Sequence, residues 1–400
     1  MIILAYIIVM IEVTKSRDVG RCIVLTGGGT AGHVLPHFAL LPHLSEKFDR
    51  IFYIGSKQGI ERELVQKYNE NLTAKNSHIP VQRVLGAPQP VVCYDTHSTQ
   101  HIVYYEISCE KLRRSLSLKN LLVPFKVLRG VEEARAILEK IKPDVVFSKG
   151  GFVAYPVVRA TAKLGIPVVS HESDMSMGLA NRMSVKYCGK ICTTFADTAK
   201  QGDKFVHTGS PIRQSIYKGD AGVVSRRFET ELRKKNLLIL GGSLGAAAIN
   251  RAVQECVEKL VENFNVIHVC GRGKIVPSGV MGYFQLEYVD DIENFYAWAD
   301  VVVSRAGSNA LCELMVLKKP TLFIPLASGR GDQVENAEYV HLHGACGLLY
   351  ERDLTPERFL DSVADVFARR AELEQAILRL DIRDGSLAIM DTIYSVLRLT

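Results

Sequence analysis

The segment LTGGGTAGHVLP, residues 25–36, follows the apolar run CIV and carries a histidine directly after its last glycine. Gly27, Gly29 and Gly32 fit G-x-G-x-x-G, a turn that lets the backbone approach a pyrophosphate; Gly27 and Gly32 also fit the glycine spacing of a P-loop. A P-loop needs Lys and Ser/Thr after the last glycine to reach the β/γ-phosphates and Mg²⁺, and His33 and Val34 stand there, so that chemistry is excluded. A dinucleotide site needs an acidic residue about 20 positions on, at the end of the next strand, to hold a ribose. That strand, IFYIGSKQG at 51–59, has no carboxylate: Asp49 precedes it and Glu61 lies in the following helix. What remains is a strand, a glycine turn and a helix N-terminus whose free N–H groups can face an anion or a close-packed sugar. The alternative is a glycine turn with no ligand.

Composition narrows the class. Four hundred residues, 47% hydrophobic and 23% charged, suit a soluble globular enzyme of two or three domains. The nine cysteines are scattered, odd in number and without C-x-x-C, which points to reduced thiols in a cytoplasmic protein and to no zinc site. A formal charge of +6 favours anionic partners only weakly, and no nucleic-acid partner is expected. Residues 1–11, MIILAYIIVMI, are all apolar but too short to span a bilayer, and they lack the basic start and cleavage site of a signal peptide. They read as an N-terminal extension over 1–20, with a membrane anchor as the alternative.

The elements that position the first loop alternate. RCIVLTGG, RIFYIGS, PDVVFSKGG, IPVVSHES, KICTTFA and KFVHTGSP are β-branched runs separated by helical patterns, the signature of an α/β protein with a parallel sheet. After the charged stretch Arg226 to Lys235 the design restarts with NLLILGGSLGAAAINRAV, followed by NVIHVCGRG, ADVVVSRAG and KPTLFIPLA. Glycine turns at Gly27 and Gly241 each open a half. The expected fold is therefore two Rossmann-like parallel-sheet domains facing a central cleft, 21–212 and 213–400, with the last helix able to pack back on the first domain. This is the arrangement of GT-B glycosyltransferases and of sugar-nucleotide 2-epimerases.

Taken in order, GGGTAGHVLP, FSKGGFVAYP, HESDMSMGLANR, TGSPIR, GGSLGAAAIN, YVDDIENFYAWADVVVSRAGSNALCE and GDQVENA resemble the MurG family. These are the UDP-N-acetylglucosamine:N-acetylmuramyl-(pentapeptide) pyrophosphoryl-undecaprenol N-acetylglucosamine transferases of bacterial cell-wall synthesis. The resemblance runs from Arg21 to the C-terminus; the first twenty residues and an apparent insertion around Asn69 to Val103, containing HSTQH, depart from it. It implies inverting transfer of GlcNAc from UDP-GlcNAc to the 4-hydroxyl of MurNAc in lipid I, giving lipid II and UDP, at the cytoplasmic face of the membrane.

The resemblance also distributes roles. Uracil would lie against the backbone at Val289 and the ribose against Glu313, within Ser308, Asn309, Ala310, Leu311, Cys312 and Glu313. A carboxylate is acceptor-only and suits two ribose hydroxyls; otherwise Glu313 is a solvated helix residue. Ser243 in GGSLGA, at a helix start, and the charge of Arg213 suit the departing diphosphate, unless Arg213 serves an ion pair. Gln333 would read the GlcNAc hydroxyls. Thr30, Ala31 and Gly32 would pass close to the sugars, and Gly150 and Gly151 would face the lipid diphosphate. His33 is the best-placed base, with Glu172 and Asp174 as rivals; family members often carry Asn at the place of Asp174, which favours a contact role there. No paired carboxylates of the DxD type occur, and neither a cofactor nor a protein-bound metal is expected.

The lipid end of the acceptor stays in the bilayer. Residues 111–129, KLRRSLSLKNLLVPFKVLR, hold six Lys/Arg and no acid. Arg113, Arg114 and Lys119 interleave with Leu116, Leu121, Leu122 and Phe125, a composition suited to an anionic membrane surface or to an amphipathic helix on the sheet. A UDP-GlcNAc 2-epimerase or an inactive UDP-sugar binding module remain the alternative functions.

Overall fold

The computed structural model describes residues 20–75, 101–110, 123–241, 246–327 and 330–397. Two parallel sheets organise it. The first holds β1 (Cys22–Thr26), β2 (Arg50–Ser56), β3 (Ile102–Ile107), β4 (Val145–Ser148), β5 (Val168–Glu172), β6 (Lys190–Thr193) and β7 (Phe205–His207), in the order β3-β2-β1-β4-β5-β6-β7. The second holds β8 (Lys235–Leu240), β9 (Phe264–Val269), β10 (Tyr283–Leu286), β11 (Val301–Ser304), β12 (Thr321–Phe323) and β13 (Gly347–Leu348), in the order β10-β9-β8-β11-β12-β13. The two Rossmann-like domains read from the repeated glycine turns are both present.

The central strands are mostly apolar and mostly buried because both of their faces are covered, as a parallel sheet under helices requires. All five residues of β1 are buried. In the second sheet the two faces separate by period two: Leu238 and Val302 join one core cluster, Leu237, Ile239, Val301 and Val303 the other. In the first, Ile23, Leu25, Tyr53 and Phe147 pack with Ile389, Met390 and Ile393 of the helix Ser386–Leu397.

Strand order reverses beside β1, which pairs with both β2 and β4, and beside β8, which pairs with both β9 and β11. At such a switch point the connections leave in opposite directions and open a crevice at the strands' C-terminal ends, where ligands of this architecture collect. The turns after Thr26, Ser148 and Ser304 stand there.

Three strands were missed in the sequence. β10 and β13 are short, and β3, IVYYEI, has only its two end residues buried. β3 pairs with β2 at one end of the segment read as an insertion, and Asn69 fastens it. The Asn69 amide donates to the Ile102 carbonyl at 2.9 Å and accepts from its N–H at 3.1 Å.

The chain divides into two compact units: Met1–Glu172, Gly178–Cys192 and Leu387–Thr400 form one, Ser173–Met177 and Thr193–Ser386 the other. Among the described residues no helix is long and apolar enough to cross a membrane.

Candidate active site

In the first unit the glycine loop runs from β1 into a single 3-10 turn, Ala31–His33, and then the helix Leu35–Ser45. Thr30 is exposed and His33 half-buried, and the Thr30 hydroxyl lies 2.9 Å from His33 Nδ1. Two tyrosines brace this region from below: the Tyr53 hydroxyl donates to the Gly27 carbonyl at 2.6 Å, and that of Tyr104 to the Ser56 carbonyl at 2.7 Å. One N–H of the loop already has an acceptor, because Gly29 donates to Glu61 Oε2 at 3.2 Å. The helix residue set aside as a ribose ligand thus reaches back to the loop itself.

The turn after β4 packs against this loop. Gly151 has φ +81°, and a side-chain carbon on it would lie 2.4 Å from the Gly28 carbonyl oxygen. Gly150 is equally closed, by Asn181. Of the glycines proposed to face a diphosphate, Gly151 is thus required by the contact of two backbones and Gly150 by the Asn181 side chain. Beneath them Lys149 is buried, with its ammonium 2.7 Å from His171 Nδ1. Glu172 is buried and accepts from the Gly178 N–H and from the Asn181 amide, each at 2.9 Å, so its carboxylate shapes the start of the helix Leu179–Ser184.

In the second unit the helix Ser308–Val316 follows β11 after three intervening residues and carries Ser308 to Glu313. Leu311 and Cys312 are buried in the core; the other four are half-buried. Arg213 and Glu313, assigned to different parts of the donor, form one ion pair at 3.2 Å. The buried Tyr296 donates to the other carboxylate oxygen at 3.4 Å. Burial raises the Glu313 carboxyl pKa, against the lowering effect of Arg213. Val289 is half-buried, three residues after β10, and packs on the core of this unit.

Asp174 belongs to the same unit and is committed. Arg330 donates to one of its oxygens at 2.9 Å and Asn336 to the other at 3.0 Å, while burial raises its pKa. Gln333, in the first turn of the helix Asp332–Leu342, accepts at Oε1 from the Leu326 N–H at 3.1 Å. That bond ties the helix to the loop leaving β12.

Ser243, Arg113, Arg114, Leu116, Lys119, Leu121 and Leu122 lie outside the described residues. Phe125, in the first turn of the helix Val123–Ile141, is 70% exposed. Glu61, Lys149, Tyr296, Arg330 and Asn336 were missed as site-shaping residues. For Asn336 and Arg330 the available signal was their proximity to Gln333 in GRGDQVENA. Among the described residues no group of three His, Cys, Asp or Glu is placed to hold a metal ion, and all eight described cysteines are free.

Comparison with known proteins agrees with this architecture. Residues 23–193 match the glycosyltransferase family 28 N-terminal domain and residues 236–382 its C-terminal domain. The UDP-N-acetylglucosamine–N-acetylmuramyl-(pentapeptide) pyrophosphoryl-undecaprenol N-acetylglucosamine transferase of Lachnospira eligens is 44% identical over 357 residues, covering 87% of this chain and 91% of the relative. The crystal structure of Acinetobacter baumannii MurG superposes with a TM-score of 0.69 at 22% identity, covering 94% of this chain and 99% of that one. The UDP-GlcNAc 2-epimerase from Neisseria meningitidis, solved with UDP-GlcNAc bound, reaches a TM-score of 0.60 at 14% identity over 94% of this chain and 99% of that one; both likenesses show the shared fold.

Proposed function

The chain belongs to glycosyltransferase family 28, among its N-acetylglucosamine transferases of the MurG family, and we propose that it moves GlcNAc from UDP-GlcNAc to the 4-hydroxyl of MurNAc in lipid I. UDP leaves, the anomeric configuration inverts, and lipid II forms for peptidoglycan synthesis. Identity of 44% across 87% of the chain carries this reading.

The reaction needs a base for the acceptor hydroxyl and countercharge for the departing diphosphate. His33 is the base. In the tautomer whose Nδ1–H donates to the Thr30 hydroxyl, Nε2 holds the lone pair that accepts the proton. Thr30, Ala31 and Gly32 line the sugars, and Gly150 and Gly151 give the acceptor diphosphate a backbone surface free of side chains. In the second unit Arg213 neutralises the donor diphosphate beside Ser243. Glu313, held by Arg213 and Tyr296, turns its remaining lone pairs to the ribose hydroxyls. Val289 supplies backbone contacts to uracil. Gln333 reads the sugar through its amide nitrogen. Asp174 serves as a scaffold for this half, since its ion pair with Arg330 withdraws it from proton transfer. No resident metal is assigned to any step.

Residues 111–129 hold the enzyme on the cytoplasmic face of the anionic membrane, where the lipid-linked acceptor resides. Proton magnetic resonance of the product tests the chemistry. The new linkage is expected to show the large anomeric coupling of a β-glycoside; an α-linked product would contradict direct displacement.

A further inference from the structure

Glu61 is fully buried in the first turn of the helix Ile60–Lys75, yet it bonds to nothing in that helix. Its Oε1 accepts from the Ser56 N–H at 3.0 Å and from the Ser56 hydroxyl, and its Oε2 accepts from the Gly29 N–H at 3.2 Å. Three glycines clear the space it fills. A side-chain carbon would lie 2.6 Å from the carboxyl carbon at Gly28, 2.9 Å from Cγ at Gly55 and 2.2 Å from Oε1 at Gly59. These come from three separate places: the first loop, strand β2, and the turn before the helix. A carboxylate enclosed this closely, and accepting N–H donors from two strand ends, occupies the position that an anionic ligand takes in glycine loops of this design.

We propose that Glu61 is a positioning residue that fills the first glycine loop from within, fixing Gly29 and thereby the segment Thr30–His33 that follows it. One of the loop's own N–H groups is thereby taken by a carboxylate of the protein itself. The loop's anion is internal, and its purpose is to hold the next four residues in register with the acceptor. The idea rests on the assignment of Thr30–His33 to the reaction, but not on His33 being the base.

A 1 Å displacement of a reacting group costs on the order of 100-fold in rate, so loss of this anchor should appear in turnover before it appears in donor affinity. Ser56 and Gly59, both against Glu61, also line a cavity of about 440 Å³ with Ile107, Ser108 and Cys109, the side from which formate would approach once the Glu61 side chain is cut back. The test uses the full chain with Glu61→Ala and Glu61→Gln, a soluble lipid I analogue, and formate as the replacement carboxylate. Glu61→Gln preserves size but sets an amide N–H₂ against donors at Ser56 or Gly29. Both variants should lose about 10- to 100-fold in kcat while UDP-GlcNAc, titrated by calorimetry, binds within about twofold of wild type. Formate should restore turnover of Glu61→Ala saturably, and chloride at equal ionic strength should not.

Wild-type kcat in both variants would overturn the proposal. So would a loss of turnover in Glu61→Ala with an equal loss of donor binding and no response to formate, which is general damage to the fold. Parallel measurement of His33→Ala separates the two assignments. If His33→Ala turns over normally while formate rescues Glu61→Ala, the base assignment fails and the anchor stands; the reverse pattern removes the anchor alone.

Discussion

Gln333 was read as the residue that meets the GlcNAc hydroxyls. Its oxygen, however, is already used by the Leu326 N–H, and the amide nitrogen is left to meet a hydroxyl. Gln333→Glu keeps an acceptor for Leu326 and removes the donor. An unpaired polar group costs about 1–3 kcal/mol, so the preference for UDP-GlcNAc over UDP-GalNAc should narrow by about 5- to 100-fold in kcat/KM, chiefly through loss on the GlcNAc donor. Equal loss on both donors would mean that Gln333 supports the loop and does not sense C4. For His33, replacement by alanine should lower kcat by about 10²- to 10⁴-fold at saturating substrates with donor binding unchanged. Near-normal turnover would end its candidacy as base. The residue types that bear chemistry were legible from their motifs; their mutual pairings were not. Arg213 and Glu313 stand 100 positions apart, Asp174 and Arg330 156 apart, and no periodicity links such partners. Glu61 was visible only as a carboxylate in the wrong place for a ribose, because the room made for it by Gly28, Gly55 and Gly59 is a property of three dimensions.

At the level of elements, the strands that a parallel sheet buries on both faces announced themselves as short apolar runs: β1, β4 and β11 fall within the segments read as strands, and β8 begins one residue before its segment. Three of the four edge strands did not, β7 in KFVHTGSP being the exception: β3 mixes Tyr, Glu and exposed Val103, since one of its sides has no neighbouring strand. The basic apolar segment 111–129 is a claim about one element too. Its described end, the start of the helix Val123–Ile141, leaves Phe125 70% and Leu128 49% exposed. Exposed apolar side chains next to Lys126 and Arg129 fit a surface that meets lipid headgroups. Each Lys or Arg near an anionic surface is worth up to about 1 kcal/mol. Charge reversal at Arg113, Arg114 and Lys119 should therefore weaken sedimentation with phosphatidylglycerol vesicles strongly and in a salt-dependent way, leaving turnover of a soluble acceptor intact. Unchanged sedimentation would exclude the segment from membrane contact.

For the whole molecule, two halves with the same switch-point design mean that each must stay folded for activity, and each buries a histidine. In the first unit, His37 lies edge-on to Tyr53 and Phe147, and burial, helped by the charges of Lys149 and His33, lowers its pKa to about 3. In the second, His268 is bonded to the Tyr283 hydroxyl and the Asn250 carboxamide, and burial lowers its pKa to about 4. Both folded values lie below the ordinary 6.5. As pH falls through 6.5, the unfolded chain gains protons that the folded chain refuses, so stability is lost until the folded pKa is reached. The slope is up to about 1.4 kcal/mol per pH unit for each histidine. Asp174 and Glu313, with raised pKa values, act in the opposite sense and offset part of the loss. In urea titrations between about pH 7 and about pH 5, His268→Gln should start less stable than wild type but show a shallower fall. Parallel slopes would contradict a neutral buried His268.

Transfer to a lipid-linked acceptor can be measured as UDP release from UDP-GlcNAc with and without lipid I or a soluble analogue. Release is expected only when the acceptor is present, matched mole for mole by glycosylated acceptor. Equal release without acceptor, accompanied by N-acetylmannosamine, would contradict it and identify an epimerase on the same two-domain framework.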